Sequence, residues 1–581
     1  MRLYSILTTF TIGILRHSSA ISNGSLNHSL NGWYSCYEFT FSNAGDSSGQ
    51  GGDAECAIYT APLCYPGICE LSAFAEPTVD IFVKRIPATA GDTKTANNVW
   101  LLQGGPGYPS TALEADMVEL HTQLEGTVNV YTMDHRGTGR STLFDCVAAQ
   151  ITTTGSKLGR DIDPAEVPSC AKDLRMKYGD LASFSTTSAA TDISTYISKF
   201  SNGASSIVYG VSYGTVVVER LMHLNPPSVV GYVLDSIATS SGAPGNKFMY
   251  YSTWDTDFGE VGEHFMELCT QDKTCNEHFQ STNLSATLQN VMATLDNDLS
   301  SPCATLLSNS TDTSPSVALR SLLGTFLKDE ARTFIPPLVY RLNRCDANDV
   351  DVLSPFLVGI STLSSSSSQE DAFQSTLLYY LIIFSEMWEM PTPSTSEMEL
   401  RFTNAGIADG IYPYTSLYCA FSKEKSPACD ELNLGLYKGE GIVYERDQYW
   451  NKSAAIPTQA NVLLLSGKLD PETPSKYAEY LLDALDGSNK ELVTFDYATH
   501  DIIQSTPFKG SDGSTLSCGM ELLVSYVSNN GDLERLDRSC IDEMPDFNLT
   551  APIDAVQGYF STDEAYDGVY NARLSQGEDV S

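Results

Sequence analysis

The chain has 581 residues, 42% of them hydrophobic and 10% aromatic, and carries a formal net charge of −38. That length exceeds one compact unit, and the apolar content is ordinary for a globular protein. So acidic a chain repels nucleic acid and anionic membrane, which excludes both as partners; it suits a cationic ligand, or serves solubility alone.

Residues 1–20 read as a secretory leader: Arg2, an apolar stretch from Leu3 to Leu15 cut short by Arg16, then Ser18-Ser19-Ala20 as a small-residue cleavage site. The stretch is too short to span a bilayer, and the most apolar later run, Leu377–Phe384, is only core-sized. Fourteen cysteines, an even number, fit an oxidising compartment. Short spacings suggest the pairs Cys146–Cys170, Cys269–Cys275, Cys419–Cys429 and Cys518–Cys540; the cluster Cys36, Cys56, Cys64, Cys69 has no unique pairing. Six Asn-x-Ser/Thr sites, at Asn23, Asn27, Asn283, Asn309, Asn451 and Asn548, are compatible with glycosylation. No cysteine or histidine spacing resembles a zinc site, and neither metal nor organic cofactor is expected.

Residues 21–75, rich in Ser, Gly, Asn and Cys, read as an irregular N-terminal extension. From Thr78 the pattern turns to strands: alternation at Val79, Ile81 and Val83, then buried runs at Val99–Leu102, Val128–Met133, Ile207–Tyr209 and Val229–Leu234. Strands separated by helical stretches indicate a mostly parallel sheet over residues 76–240. The rhythm stops after Ser240. Residues 241–450 carry helical patterns such as Phe258–Cys269, Ser316–Leu327 and Asp371–Glu389, broken by Ser/Thr-rich joints. Strands resume at Val462–Ser466 and Leu492–Phe495 within 451–556, and the acidic residues 557–581 are expected to fray. The expected fold class is one α/β domain split by a long, mainly helical cap.

Gly210-Val-Ser212-Tyr-Gly214 stands between a short apolar run and a helix-length run, the layout of a nucleophile elbow. The β-branched run Val216–Val218 lowers helix propensity there, so packing has to overrule it. A serine nucleophile needs a base, and the base needs an acid that orients it; in elbow enzymes these follow in the order Ser, Asp or Glu, His. Asp470, in Ser466-Gly-Lys-Leu-Asp470-Pro-Glu-Thr-Pro474, follows one buried strand, and His500, in Thr499-His500-Asp501, follows the next. The plainer readings are a turn aspartate before proline and a loop histidine; Asp235, at another strand end, is a rival acid. An oxyanion hole needs two backbone donors: Tyr213 N–H is one, and Gly104 or Gly105, in Gln103-Gly-Gly-Pro-Gly107, is the other.

Taken in order, QGGPG, DHRGTGRS (134–141), GVSYG and SGKLDPETP with a later THD resemble the prolyl and tripeptidyl aminopeptidases, a family of α/β-hydrolase serine peptidases, and within it the secreted tripeptidyl branch. The resemblance covers residues 75–240 and 445–545. It implies an α/β-hydrolase core, Ser212 as nucleophile, Asp470 as orienting acid, His500 as base, and Gly104, Gly105 and Tyr213 as oxyanion hole. Asp134 and Arg136 would brace the loops. Two departures stand out: Gln103 replaces the usual histidine, and His500 lacks the Gly-His context. In the cap, Ile383-Phe-Ser-Glu386-Met-Trp-Glu389 resembles the segment whose carboxylates bind the substrate ammonium, against the plainer reading of a solvated helix face. The implied partner is a peptide with a free N-terminus. Two alternatives remain: an esterase or lipase with the same triad, and a silent hydrolase-like binding protein.

Overall fold

The computed structural model describes residues 28–41, 53–159, 161–242, 248–308, 313–364, 368–510 and 513–574. The leader expected over residues 1–20 lies outside them, as do Asn23, Asn27 and Asn309.

Ten strands form one sheet: β1 (Ser29–Leu30), β2 (Tyr34–Cys36), β3 (Ala54–Pro62), β4 (Thr78–Ile86), β5 (Asn98–Leu102), β6 (Asn129–Met133), β7 (Ser206–Val211), β8 (Val229–Asp235), β9 (Asn461–Gly467) and β10 (Lys490–Phe495). The order is β1-β3-β4-β6-β5-β7-β8-β9-β10, with β2 on the side of β3. Neighbours from β6 to β10 pair in parallel, and the strands before them pair antiparallel. The central strands are apolar on both faces because helices cover both. Trp100, Leu102, Val208 and Leu464 point into one core, with Ile193, Val217 and Leu481 from its helices. Val99, Leu101, Tyr209 and Leu465 point into the other, with Met117 and Leu523. Adjacent residues on a strand thus serve opposite layers. This is an α/β-hydrolase core with a helical insertion between β8 and β9.

The register decides where a site forms. Leu102 pairs with Gly210, Gly210 with Leu234, and Leu234 with Leu464, while Gly467 pairs with Phe495. The carboxyl ends of β5, β7, β8, β9 and β10 therefore reach one edge, where Asp235 ends β8 and from which the loops carrying Gly104, Ser212, Asp470 and His500 leave.

The insertion is less uniform than its sequence suggests. Phe258, Leu288, Leu323, Leu338 and Phe356 build a core of their own, whereas helix Thr376–Glu386 and the helices after it pack into the core of the sheet. Two expectations need correction. Residues 21–75 are not wholly an irregular extension, because β3 is a nine-residue strand paired along its length with β4. Its Ala, Cys and Thr content hides its pairing. Residues 557–574 do not fray: Phe560 and Tyr566 are buried in the cap core, and Arg341 donates to the carbonyls of Ala565 and Gly568 at 2.7 and 3.0 Å. Seven disulfides form, comprising the four short pairs expected and Cys36–Cys56, Cys64–Cys69 and Cys303–Cys345. Among the described residues no helix is long and apolar enough to cross a membrane.

Candidate active site

Ser212 sits between β7 and helix Tyr213–Leu224 with φ +57°, a left-handed conformation that is strained for a residue with a side chain. The tight turn explains both flanking glycines. A Cβ at Gly210 would come within 2.5 Å of Gly214 O, and one at Gly214 within 2.5 Å of Leu102 O. The strain is held by Ser212 N–H donating to Asp235 O at 3.0 Å. Val216, Val217 and Val218 are buried on the helix; packing does overrule propensity there.

His500 Nδ1 lies 2.9 Å from Asp470 Oδ2. Asp470 also accepts from the backbone N–H groups of Glu472 and Thr473, each at 2.9 Å, and from the Thr473 hydroxyl, which is 3.2 Å from the same histidine nitrogen. The Asp-Pro turn thus fastens the carboxylate rather than merely reversing the chain, and the proximity of Thr473 had no signal in the sequence. Burial alone would raise Asp470, but the His500 charge and these hydrogen bonds hold it below the usual carboxylate range. Burial pulls His500 down, yet the charges of Asp470 and Glu472 outweigh it and lift the imidazole above its ordinary value. With Nδ1 committed to Asp470, Nε2 is the nitrogen left for a reacting group in the cleft that His500 and Ser212 both line.

The glycine loop presses against the elbow. A Cβ at Gly104 would stand 2.7 Å from Ser212 Cβ and 3.2 Å from Tyr213 N, so only glycine fits. Gly104 gives its N–H to the Gln103 side chain at 3.0 Å, the structural effect of the departure at position 103. Tyr213 opens its helix, so its N–H is one of the donors a helix leaves unmatched. The DHRGTGRS segment braces this edge. Asp134 accepts from Ser110 and Arg140, and Arg136 makes a two-pronged pair with Asp192 at 2.7 and 2.6 Å.

The rival acid has another job. Asp235 accepts from the N–H groups of Ile502 and Ile503, capping the short turn after His500, and from Tyr209 Oη at 2.9 Å. Burial raises Asp235, and burial plus the charges of Asp235 and Asp116 pushes Asp501 well above the carboxylate range. Asp116, bonded by Gln504, is pushed up to about 7, chiefly by burial. Burial thus disfavours the charged forms of three neighbouring acids close to the base.

The cleft over Ser212 has a volume of about 460 Å³. Tyr108, Tyr251, Trp254, Tyr379, Tyr380 and Tyr414 give it aromatic walls. Three carboxylates, Asp161, Asp409 and Glu472, and the raised acid Asp501 line it with His500 and Lys328, which pairs with Asp409 at 3.0 Å and Glu472 at 3.6 Å. The carboxylates expected from the cap lie elsewhere. Glu386 ends its helix buried, 3.1 Å from Arg220 Nη2 and bonded by Tyr444 Oη at 2.6 Å, and lines a narrow gap beside Tyr213. Glu389 lies beyond the helix end, held by both guanidinium nitrogens of Arg401, at 2.5 and 3.3 Å. Neither residue lines the cleft over Ser212, and each is engaged by a guanidinium that a second carboxylate shares. Among the described residues no group of three His, Cys, Asp or Glu is placed to hold a metal ion.

Solved structures similar to this protein include an acetyl xylan esterase from Thermoanaerobacterium sp., at 12% identity and TM-score 0.28, covering 82% of this chain and 84% of the other. A lipase in open form follows at 15% and 0.29, covering 78% and 96%. Potato epoxide hydrolase I is similar at 12% and 0.28, covering 75% and 94%. No curated protein sequence matches the chain. The family described as TAP-like protein matches residues 441–540. That stretch carries Asp470 and His500, and the match supports the tripeptidyl-aminopeptidase-like family of α/β-hydrolases for this protein.

Proposed function

We propose that the protein is a secreted serine aminopeptidase that cleaves peptide bonds near a free substrate N-terminus. The observation that carries the reading is one edge of the sheet bearing a strained Ser212, a glycine loop pressed on it, and His500 bonded to Asp470 in the same cleft. His500 takes the Ser212 proton through Nε2 as the hydroxyl oxygen attacks the scissile carbonyl. Tyr213 N–H and a glycine N–H, from Gly105 or from Gly104 once Gln103 swings aside, stabilise the oxyanion. The imidazolium then protonates the departing amine, and a water deprotonated by the same histidine releases the acyl group. Asp470 keeps the tautomer and stabilises the imidazolium.

The net negative lining of the cleft supports an ammonium-bearing substrate, and Asp161, on the rim and without the lysine bonds of Asp409 and Glu472, is the preferred anchor. The seven disulfides agree with export by the leader at residues 1–20. The test compares a fluorogenic tripeptide amide with its N-acetylated twin. Hydrolysis of the free amine alone, abolished by Ser212→Ala, is the expected result. Equal hydrolysis of both would sink the ammonium reading, and activity confined to simple esters would make the protein an esterase.

A further inference from the structure

A second, larger cavity of about 760 Å³ also borders His500. It shares Lys328, His500 and Asp501 with the cleft over Ser212, so the two spaces meet at the histidine. Its volume is in the range of sites that hold a drug-sized ligand or a few residues of peptide. One wall is the backbone running into and past His500, from Thr494 to Gln504; another is the cap segment Lys328–Arg332; a third is Met544–Asn548. The Tyr497 and Phe547 rings lie along it with centroids 4.8 Å apart and planes tilted by 37°.

The chemistry of acyl transfer gives this space an orientation. The proton that leaves Ser212 is returned by His500 to the amine nitrogen as the C–N bond breaks, and the bonding pair stays on that nitrogen. The departing peptide must therefore begin beside His500, while the acyl half stays over Ser212 under the aromatic wall. A peptide that begins at His500 and moves away from Ser212 enters the second cavity.

Within that cavity one cation is incompletely satisfied. Arg332 donates Nη2 to Tyr497 O at 2.8 Å, while its Nη1 is buried with no hydrogen-bond partner. Lys328, by contrast, is spent on Asp409 and Glu472, and among the described residues Arg332 forms no ion pair. A guanidinium edge of this kind is suited to a carbonyl or carboxylate oxygen.

We propose that the second cavity is the leaving-side subsite, which holds the part of the substrate on the carboxyl side of the scissile bond, and that Arg332 receives an oxygen of that part, from a main-chain carbonyl or a terminal carboxylate. The proposal rests on the peptidase reading above. It makes the enzyme selective for peptides that continue past the cleaved bond over those ending at it.

The test uses the full-length protein and one N-terminal tripeptide joined to a bare aminocoumarin or to leaving peptides of one, two and three residues, with free-acid and amide ends. Release of the tripeptide is followed by chromatography. In the wild type kcat/KM is expected to rise about tenfold or more on extension, since remote binding is realised in the transition state. Arg332→Gln should cut the ratio of extended to bare substrate about tenfold, the worth of one charge-assisted hydrogen bond, whereas a purely structural loss would lower both together. Asp546→Trp, at an exposed position on the cavity wall, should also erase the ratio and covers the case in which Arg332→Gln does not fold. A gain confined to free acids assigns Arg332 to the terminal carboxylate, and an equal gain with amides assigns it to a carbonyl. Hydrolysis of the bare substrate without any gain on extension would overturn the subsite alone. No hydrolysis of any peptide would overturn the peptidase reading and the subsite with it.

Discussion

Two buried carboxylates, one in the core and one at the end of a cap helix, differ in the partner each faces. Asp470 on the core edge faces an imidazole, a partner that can lose its proton. Glu386 at the end of its cap helix faces Arg220, a partner that cannot, and Arg220 is shared with Asp447 at 2.9 Å. Both carboxylates are shielded from water and both are hydrogen-bonded. Only the first belongs to a pair whose charge state can change during a reaction. The second ties cap to core. Burial and ion pairing alone do not separate chemistry from architecture; the titration range of the partner does.

The comparison can be attacked from several sides. Ser212→Ala should lower kcat by at least about 10⁴-fold while leaving the thermal midpoint close to wild type. Asp470→Asn should cost about 10³–10⁴-fold in kcat through the wrong histidine tautomer. Because Asp470 raises His500, the same variant should move the acid limb of kcat/KM to lower pH; a limb that stays put would mean that His500 is not the group observed. Glu386→Gln should act on stability, lowering the unfolding free energy by about 2–4 kcal/mol in a denaturant titration, below the full cost of a broken buried pair because Asp447 still serves Arg220. If it instead raised KM for free-amine substrates selectively and left stability alone, the contrast between the two carboxylates would collapse. Asp161→Asn should raise KM for free-amine substrates about threefold to tenfold and spare acetylated ones.

The smallest effect concerns the acids close to His500. Asp501 is raised in the folded protein, so folded molecules keep a proton that unfolded ones release. Its contribution is fully present below the unfolded carboxylate's value near 4, and is lost as pH rises through the folded value. Asp501→Asn should therefore flatten the fall of the thermal midpoint between acid and neutral pH, and an unchanged slope would remove Asp501 from the cluster.

What the sequence made legible was the part written locally. GVSYG, the strand before Asp470 and the strand before His500 each announce themselves within about ten residues, and the register brings their loops together. Elsewhere the signal was spread out. Strand β3 has to be recognised through its pairing with β4. The partners of Glu386 are Arg220 and Tyr444, from other elements. Asp409 reaches the cleft from the insertion, and Asp161 from the connection between β6 and β7. Long-range charge pairing leaves no mark on a local pattern, so the contacts of Glu386 with Arg220 and Tyr444 could not be read from the segment around it.

The cap core also has a consequence for the order of events in the cell. Phe560 and Tyr566 fill the same cluster as Phe258 and Phe334, although the second half of the sheet is synthesised between them. The insertion is thus made long before it can be finished, and its apolar face waits uncovered while β9 and β10 emerge. A polypeptide stopped before residue 553 would carry every residue of the proposed triad and still leave the cap core unfilled, prone to proteases and to association with other unfinished molecules. The last part to be made decides when the protein is safe.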